Sequence, residues 1–130
     1  MKHALNLYFI YKNWLDFYEK KYMIYFNMLE QIKKGILQER RYEFSIHAVD
    51  QSIIRKITLQ EMHEAIECGE IIEDYPEDKY GPSCLIFGMT GKNRPLHIQC
   101  SYPSRPKIKI ITVYEPDPEE WIDFKVRRSI

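Results

Sequence analysis

The stretch Ser83 to Tyr114 constrains this chain most, because its pattern fits three consecutive antiparallel strands and little else. Cys84-Leu85-Ile86-Phe87 is an apolar run without charge, as a strand covered on both faces requires. Gly91-Lys92-Asn93 supplies a turn, and Pro95 stands at a strand start, where a missing N–H does little harm. The next segment alternates: Leu96, Ile98, Cys100 and Tyr102 share one face, while His97, Gln99 and Ser101 share the other. A turn over Pro103 to Pro106 leads to Lys107–Tyr114, rich in β-branched residues and halted by Glu115-Pro116. If Tyr102 faces Ile108 across this hairpin, Tyr114 shares a face with Leu96, and a one-residue slip moves it to the face of His97.

Helices precede the sheet. Tyr11, Leu15, Tyr18, Tyr22, Tyr25, Leu29 and Ile32 recur four and three apart, which predicts a helix with one seam, capped near Gly35. The seam offers a surface for the sheet or for a second copy in a homodimer. Glu39 to Glu43 reads as a charged linker. Ser45 predicts an N-cap for a helix over Ile46–Ile54, with His47 in its first turn. Thr58 and Glu61 form a capping box for the following helix, which ends at Gly69 and carries a solvent-facing His63. Glu70–Tyr75 is the first strand, and Pro116 to Glu120 reads as the start of a short last helix. The expected class is α+β: N-terminal helices, a four-stranded antiparallel sheet and a short C-terminal helix. Residues 1–27 are read as a tyrosine-rich helical extension and 28–130 as a single domain.

Nineteen basic and nineteen acidic residues cancel, so net charge alone does not point to nucleic acid. Their distribution is uneven: Glu64 to Asp78 carries acids and no base, and basic residues gather at Arg105 to Lys109 and Lys125 to Arg128. Three cysteines without a CxxC pair, two of them on apolar strands, fit a reduced cytoplasmic protein and no metal site. No segment is apolar enough over sufficient length to span a bilayer, and no phosphate-binding glycine loop or hydrolase triad order occurs.

Several segments carry a resemblance: Ser45-Ile46-His47-Ala48, Arg55-Lys56-Ile57-Thr58, Gly69 to Pro76, Gly81 to Leu85, Arg94-Pro95-Leu96-His97, Ile111 to Asp117, Trp121 and Arg127-Arg128. In that order they resemble the domain-of-unknown-function 4258 family over residues 44–128. That family is similar to the RelE/BrnT-like toxins. The resemblance implies the toxin of a type II toxin–antitoxin system, a metal-independent endoribonuclease (mRNA interferase) acting on RNA at the ribosome. It implies a cognate antitoxin as partner, in this branch a small zinc-finger protein, and no cofactor.

Such cleavage needs a base for the ribose 2′-hydroxyl, an acid for the leaving oxygen and cations for the phosphate. Under the resemblance the catalytic candidates are His47, Arg55, His97 and Tyr114, with Arg94, Lys109, Lys125, Arg127 and Arg128 contacting RNA. Three of the catalytic candidates have a structural alternative. His47 suits a hydrogen-bonded helix start, Arg55 a salt bridge to Glu73 and Asp74, and Tyr114 core packing. Zero net charge weakens unaided RNA binding, so a non-catalytic partner-binding module of the same fold stands as the alternative function.

Overall fold

A computed structural model of the chain describes residues 2–129, with side chains from residue 4 onward. Helix α1 spans Lys2–Lys33, followed by a π-helical turn, Lys34–Gln38. Strand β1 is Tyr42–Phe44, helices α2 and α3 are Ile46–Ile54 and Leu59–Glu67, and β2 is Glu70–Tyr75. Strands β3 (Ser83–Met89), β4 (Pro95–Ser101) and β5 (Ile108–Tyr114) form the expected meander. The chain closes with a small hairpin, β6 (Trp121–Ile122) and β7 (Val126–Arg127).

Two expectations about architecture are overturned. The sheet has five strands in the order β1-β5-β4-β3-β2, and it is mixed, because β1 runs parallel to β5. The stretch read as a charged linker holds β1, whose Tyr42, Glu43 and Phe44 pair with Ile108, Lys109 and Ile110. Three residues carry no periodicity to detect, and the pairing partner lies more than sixty positions away. The C-terminal helix is instead the β6–β7 hairpin. Asp123 and Phe124 both have positive φ (51° and 63°), as the two central residues of a type I′ turn require, and the Lys125 N–H closes the turn on the Ile122 carbonyl.

Helices and sheet make two layers. Ala48 of α2, Met62, Ala65 and Ile66 of α3, and Ile32 and Ile36 beyond them pack on Cys84, Ile86, Leu96, Ile98, Ile108, Ile110 and Val113. The capping box is present: Thr58 accepts from the Glu61 N–H, and the Glu61 carboxylate accepts from the Thr58 N–H. Contact between α3 and β3 is close enough to demand glycine, since a Cβ on Gly88 would lie 1.8 Å from the Ala65 carbonyl oxygen. Gly35 does not cap α1. The helix runs on through it, and Gly35 lies buried where a Cβ would meet the Ile108 side chain at 2.7 Å. His63 is half-buried rather than solvent-facing, with its Nε2 3.1 Å from the Tyr42 hydroxyl. All three cysteines are free, and Cys84 sits opposite Cys100 in the β3–β4 ladder with both side chains buried.

Arg94 ties the layers together at one end of the molecule. Its guanidinium donates to the Arg55 carbonyl (2.7 Å) and the Lys56 carbonyl (2.9 Å), which end α2. It also pairs with Glu61 in the first turn of α3 and with Glu115 just beyond β5. One side chain at the start of β4 thus joins a helix C-terminus, a helix N-terminus and a strand end. A planar fork with five donors can do this and an ammonium cannot.

Two stability outcomes follow from this packing. Gly88→Ala forces the new methyl into the α3 backbone and is expected to cost about 3 kcal/mol or more, read as a lowered denaturation midpoint. Arg94→Ala orphans two carbonyls and two carboxylates and is expected to cost about 2–3 kcal/mol, with Arg94→Lys recovering only part of it. A thermal midpoint unchanged in Arg94→Ala would free this arginine for a ligand.

Candidate functional site

The sheet face opposite the helices carries His97 and Gln99 of β4, and it is not open around His97. The β6–β7 hairpin folds over it, and His97 has no solvent-accessible surface. The Trp121 ring stands perpendicular to the imidazole, with centroids 4.5 Å apart, and Phe87 borders it at 5.9 Å.

Both imidazole nitrogens are engaged. Nε2 lies 2.6 Å from the Phe124 carbonyl oxygen, which can only accept, so Nε2 carries the hydrogen. Nδ1 is then the acceptor in the neutral ring, and the Tyr114 hydroxyl, 3.1 Å away, donates to it. Burial holds the imidazole below its ordinary pKa, partly offset by the Phe124 carbonyl and the Glu73 carboxylate. Burial likewise raises the Tyr114 phenol above its usual range, with Arg127 and Arg55 pulling the other way and Glu73 and Glu120 adding to it.

Tyr114 reaches His97 because of a bulge. His97 pairs with Tyr114, Ile98 with Val113 and Gln99 with Thr112, but Cys100 pairs with Ile110, leaving Ile111 as the extra residue. The Ser45 hydroxyl donates to the Ile111 carbonyl at 2.8 Å, and the Ser45 N–H donates to the Ile110 carbonyl at 2.9 Å. The N-cap of α2 therefore pins the bulge. From there α2 runs along the free edge of β5, with the Val113 N–H donating to Gln51 and Arg55 arriving beside Tyr114. The Arg55 guanidinium carbon lies 5.9 Å from the Tyr114 ring centroid. Glu73 and Asp74 are engaged elsewhere, Glu73 by Arg127 and Tyr75 and Asp74 by the Tyr102 hydroxyl.

Three of the four expected catalytic residues, Arg55, His97 and Tyr114, thus form one connected chain. His47 stands apart. It is exposed in the first turn of α2, eight residues before Arg55, or roughly 12 Å along the helix axis. Its helix packs on the sheet face that His97 does not share.

The residues expected to touch RNA are largely committed within the fold. Arg94 is the clamp described above. Lys125 pairs with Glu70 at 2.8 Å, and Arg127 pairs with Glu73 at 2.7 Å while stacking 4.6 Å above the Trp121 ring. Arg128 donates to the Pro118 carbonyl, and Lys109 is half-buried on β5 opposite Glu43. The acidic and basic segments of the sequence therefore meet each other where the hairpin lies against β2. Beside them opens a shallow groove of about 610 Å³, lined by Asp74, Tyr75, Pro76, Glu77, Asp78, Gln99 and Arg127. The Phe124 carbonyl, partner of His97, could not be found from the sequence, since a backbone acceptor leaves no mark there.

The neutral His97 carries a pH signature. Its folded pKa is depressed, so its contribution to stability is complete above the unfolded value of about 6.5. It is lost as pH falls from there toward the folded value, because only the unfolded chain takes up the proton. His63, also lowered by burial and by Arg40, acts in the same sense. The denaturation midpoint is expected to drop as pH falls below about 6.5, and His97→Gln should flatten part of that slope.

The model of one protein family, described as a domain of unknown function (DUF4258), matches residues 44–115, from the end of β1 to just past β5. The matched span contains Arg55, His97 and Tyr114 and leaves out α1 and the β6–β7 hairpin. No curated protein and no solved structure matches the chain. The match covers more than half of the sequence, and the chain belongs to the DUF4258 family.

Proposed function

We propose that this protein is a metal-independent endoribonuclease of the RelE/BrnT-like toxin type, with Tyr114 at the centre of its site. The supporting observation is the connected chain of Arg55, Tyr114, His97 and the Phe124 carbonyl. A phenol that donates to a neutral imidazole presents its oxygen lone pairs to an incoming hydroxyl. In the proposed step the ribose 2′-hydroxyl gives its proton to the Tyr114 oxygen while the phenol proton passes to His97 Nδ1. The 2′-oxygen attacks phosphorus, the bond to the 5′-oxygen breaks, and that oxygen leaves with a proton from water. The hydroxide so formed takes the proton back from His97 through the Tyr114 oxygen and restores the neutral imidazole. The products are a 2′,3′-cyclic phosphate and a 5′-hydroxyl. Arg55, exposed beside the phenol, holds the non-bridging oxygens as their charge grows. His97 touches no substrate; it positions the phenol and receives its proton. His47, roughly 12 Å from Arg55 along the axis of α2, is given no part in this step.

Zero net charge limits unaided RNA affinity, which fits a substrate delivered on the ribosome and silencing by a protein antitoxin, here proposed to be a small zinc-finger protein. The alternative, a non-catalytic module that binds a protein, is favoured by the groove beside Gln99, where Asp74, Glu77 and Asp78 outnumber Arg127. Such a lining repels phosphate and suits a cationic segment.

Induced expression in bacteria, followed by cleavage of a translated messenger, tests the ribonuclease reading. Tyr114→Phe is expected to reduce cleavage by about 10²–10⁴-fold and Arg55→Ala by about 10²–10³-fold, both with loss of growth arrest. Arg55→Ala keeps its thermal midpoint, and Tyr114→Phe stays folded with stability lowered by about 1–3 kcal/mol for the unpaired His97 Nδ1. A folded Tyr114→Phe protein that cleaves at the wild-type rate removes the phenol from the chemistry. A folded wild-type chain that neither cleaves nor arrests growth favours the binding module.

A further inference from the structure

α1 outruns the body of the protein. Residues 4–24 are all exposed, and the first half-buried side chain is Tyr25, so roughly 30 Å of helix projects with no cover from its own chain. This length is strongly apolar: Leu7, Tyr8, Tyr11, Trp14, Tyr18 and Tyr22 are each more than half exposed. No helix among the described residues is long and apolar enough to cross a membrane. Monomers rarely leave so large a continuous apolar surface in water.

We infer that the projecting part of α1 pairs with the same helix of a second copy, in antiparallel sense. This inference does not depend on the ribonuclease reading. Two observations choose the occupant. The seam Tyr8, Tyr11, Leu15, Tyr18, Tyr22 and Tyr25 keeps the three-and-four spacing of a two-helix contact. The same seam continues into Leu29 and Ile32, which already pack on the helix layer, so the surface is a continuation of one already used for docking.

Charge selects the direction. Lys12 and Glu19 both flank the seam on the same side, each directly after one of its residues. In an antiparallel pair equivalent flanks face each other, so Lys12 of each copy meets Glu19 of the other, twice by symmetry. A parallel pair sets Glu19 of one copy beside Trp14 of the other and leaves both charges unpaired. The area is adequate as well. Five aromatic side chains more than half exposed offer about 500 Å² together, and Leu7, Leu15 and Phe26 bring the face near the roughly 800 Å² per partner of a stable interface.

Light scattering and sedimentation of the full chain over a concentration series test this. The expected result is a dimer that dissociates on dilution. The double substitution Tyr11→Lys and Tyr18→Lys should give a monomer with the folded domain intact by circular dichroism. Lys12→Glu should weaken association about tenfold by setting like charges together, and Lys12→Glu combined with Glu19→Lys should restore it. A wild-type chain that stays monomeric at every concentration overturns the inference. So does a charge swap that fails to restore the dimer, which removes the antiparallel pairing. Partition of the wild-type chain onto phosphatidylglycerol vesicles in place of self-association overturns it too.

Discussion

The displacement of Ile111 from the β4–β5 ladder is the constraint on which the candidate site depends. Without that extra residue, Thr112 and Tyr114 would change faces, and the phenol would enter the helix-side core with Leu96 rather than meet His97. A bulge of this kind leaves backbone groups outside the ladder, and they need partners elsewhere. Ser45 provides them, with its hydroxyl on the Ile111 carbonyl and its N–H on the carbonyl before it. The same hydroxyl accepts from the Ala48 N–H and so caps α2. A single serine therefore couples the start of a helix to the register of a strand. The direction of α2 along β5, and with it the arrival of Arg55 beside Tyr114, follows from that coupling.

Burial of His97 shows how the polar face is managed. An imidazole closed off from water is tolerable when both nitrogens have partners, and here one is a carbonyl and the other a phenol. The β6–β7 hairpin supplies the carbonyl and the aromatic lid together, and it is held in place by Lys125 on Glu70 and Arg127 on Glu73. These pairs are partly exposed and individually modest. Their larger consequence is that the basic tail is spent on the acidic strand of its own chain. That accounts for a molecule with clustered charge in sequence but no broad cationic surface from its C-terminus.

At the opposite end of β4 from the bulge, Arg94 performs the complementary task. It gathers the end of α2, the start of α3 and the residue after β5, so the edge that carries Arg55 and Tyr114 is braced from below. Because Arg94 donates to the carbonyl of Arg55 itself, the clamp also fixes where the Arg55 side chain departs from the helix.

Local chemistry was legible where it is written in consecutive residues. The N-cap Ser45, the capping box of Thr58 and Glu61, the β3–β4–β5 meander and the alternation that separates His97 from Leu96 all follow from side-chain type at fixed spacing. What the residues could not carry is long-range: β1 is three residues whose only argument for being a strand is Ile108 to Ile110, and the bulge at Ile111 exists because a distant serine accepts its consequences. The C-terminal segment looked like a helix start because acids after proline favour one locally. Tertiary packing of Trp121 and Phe124 over His97 selected the hairpin instead. Sequence determined the helix N-caps, the three-strand meander and the two faces of β4. Register, closure of the polar face and the meeting of Arg55, Tyr114 and His97 were decided by contacts between segments far apart in the chain, which local propensity does not encode.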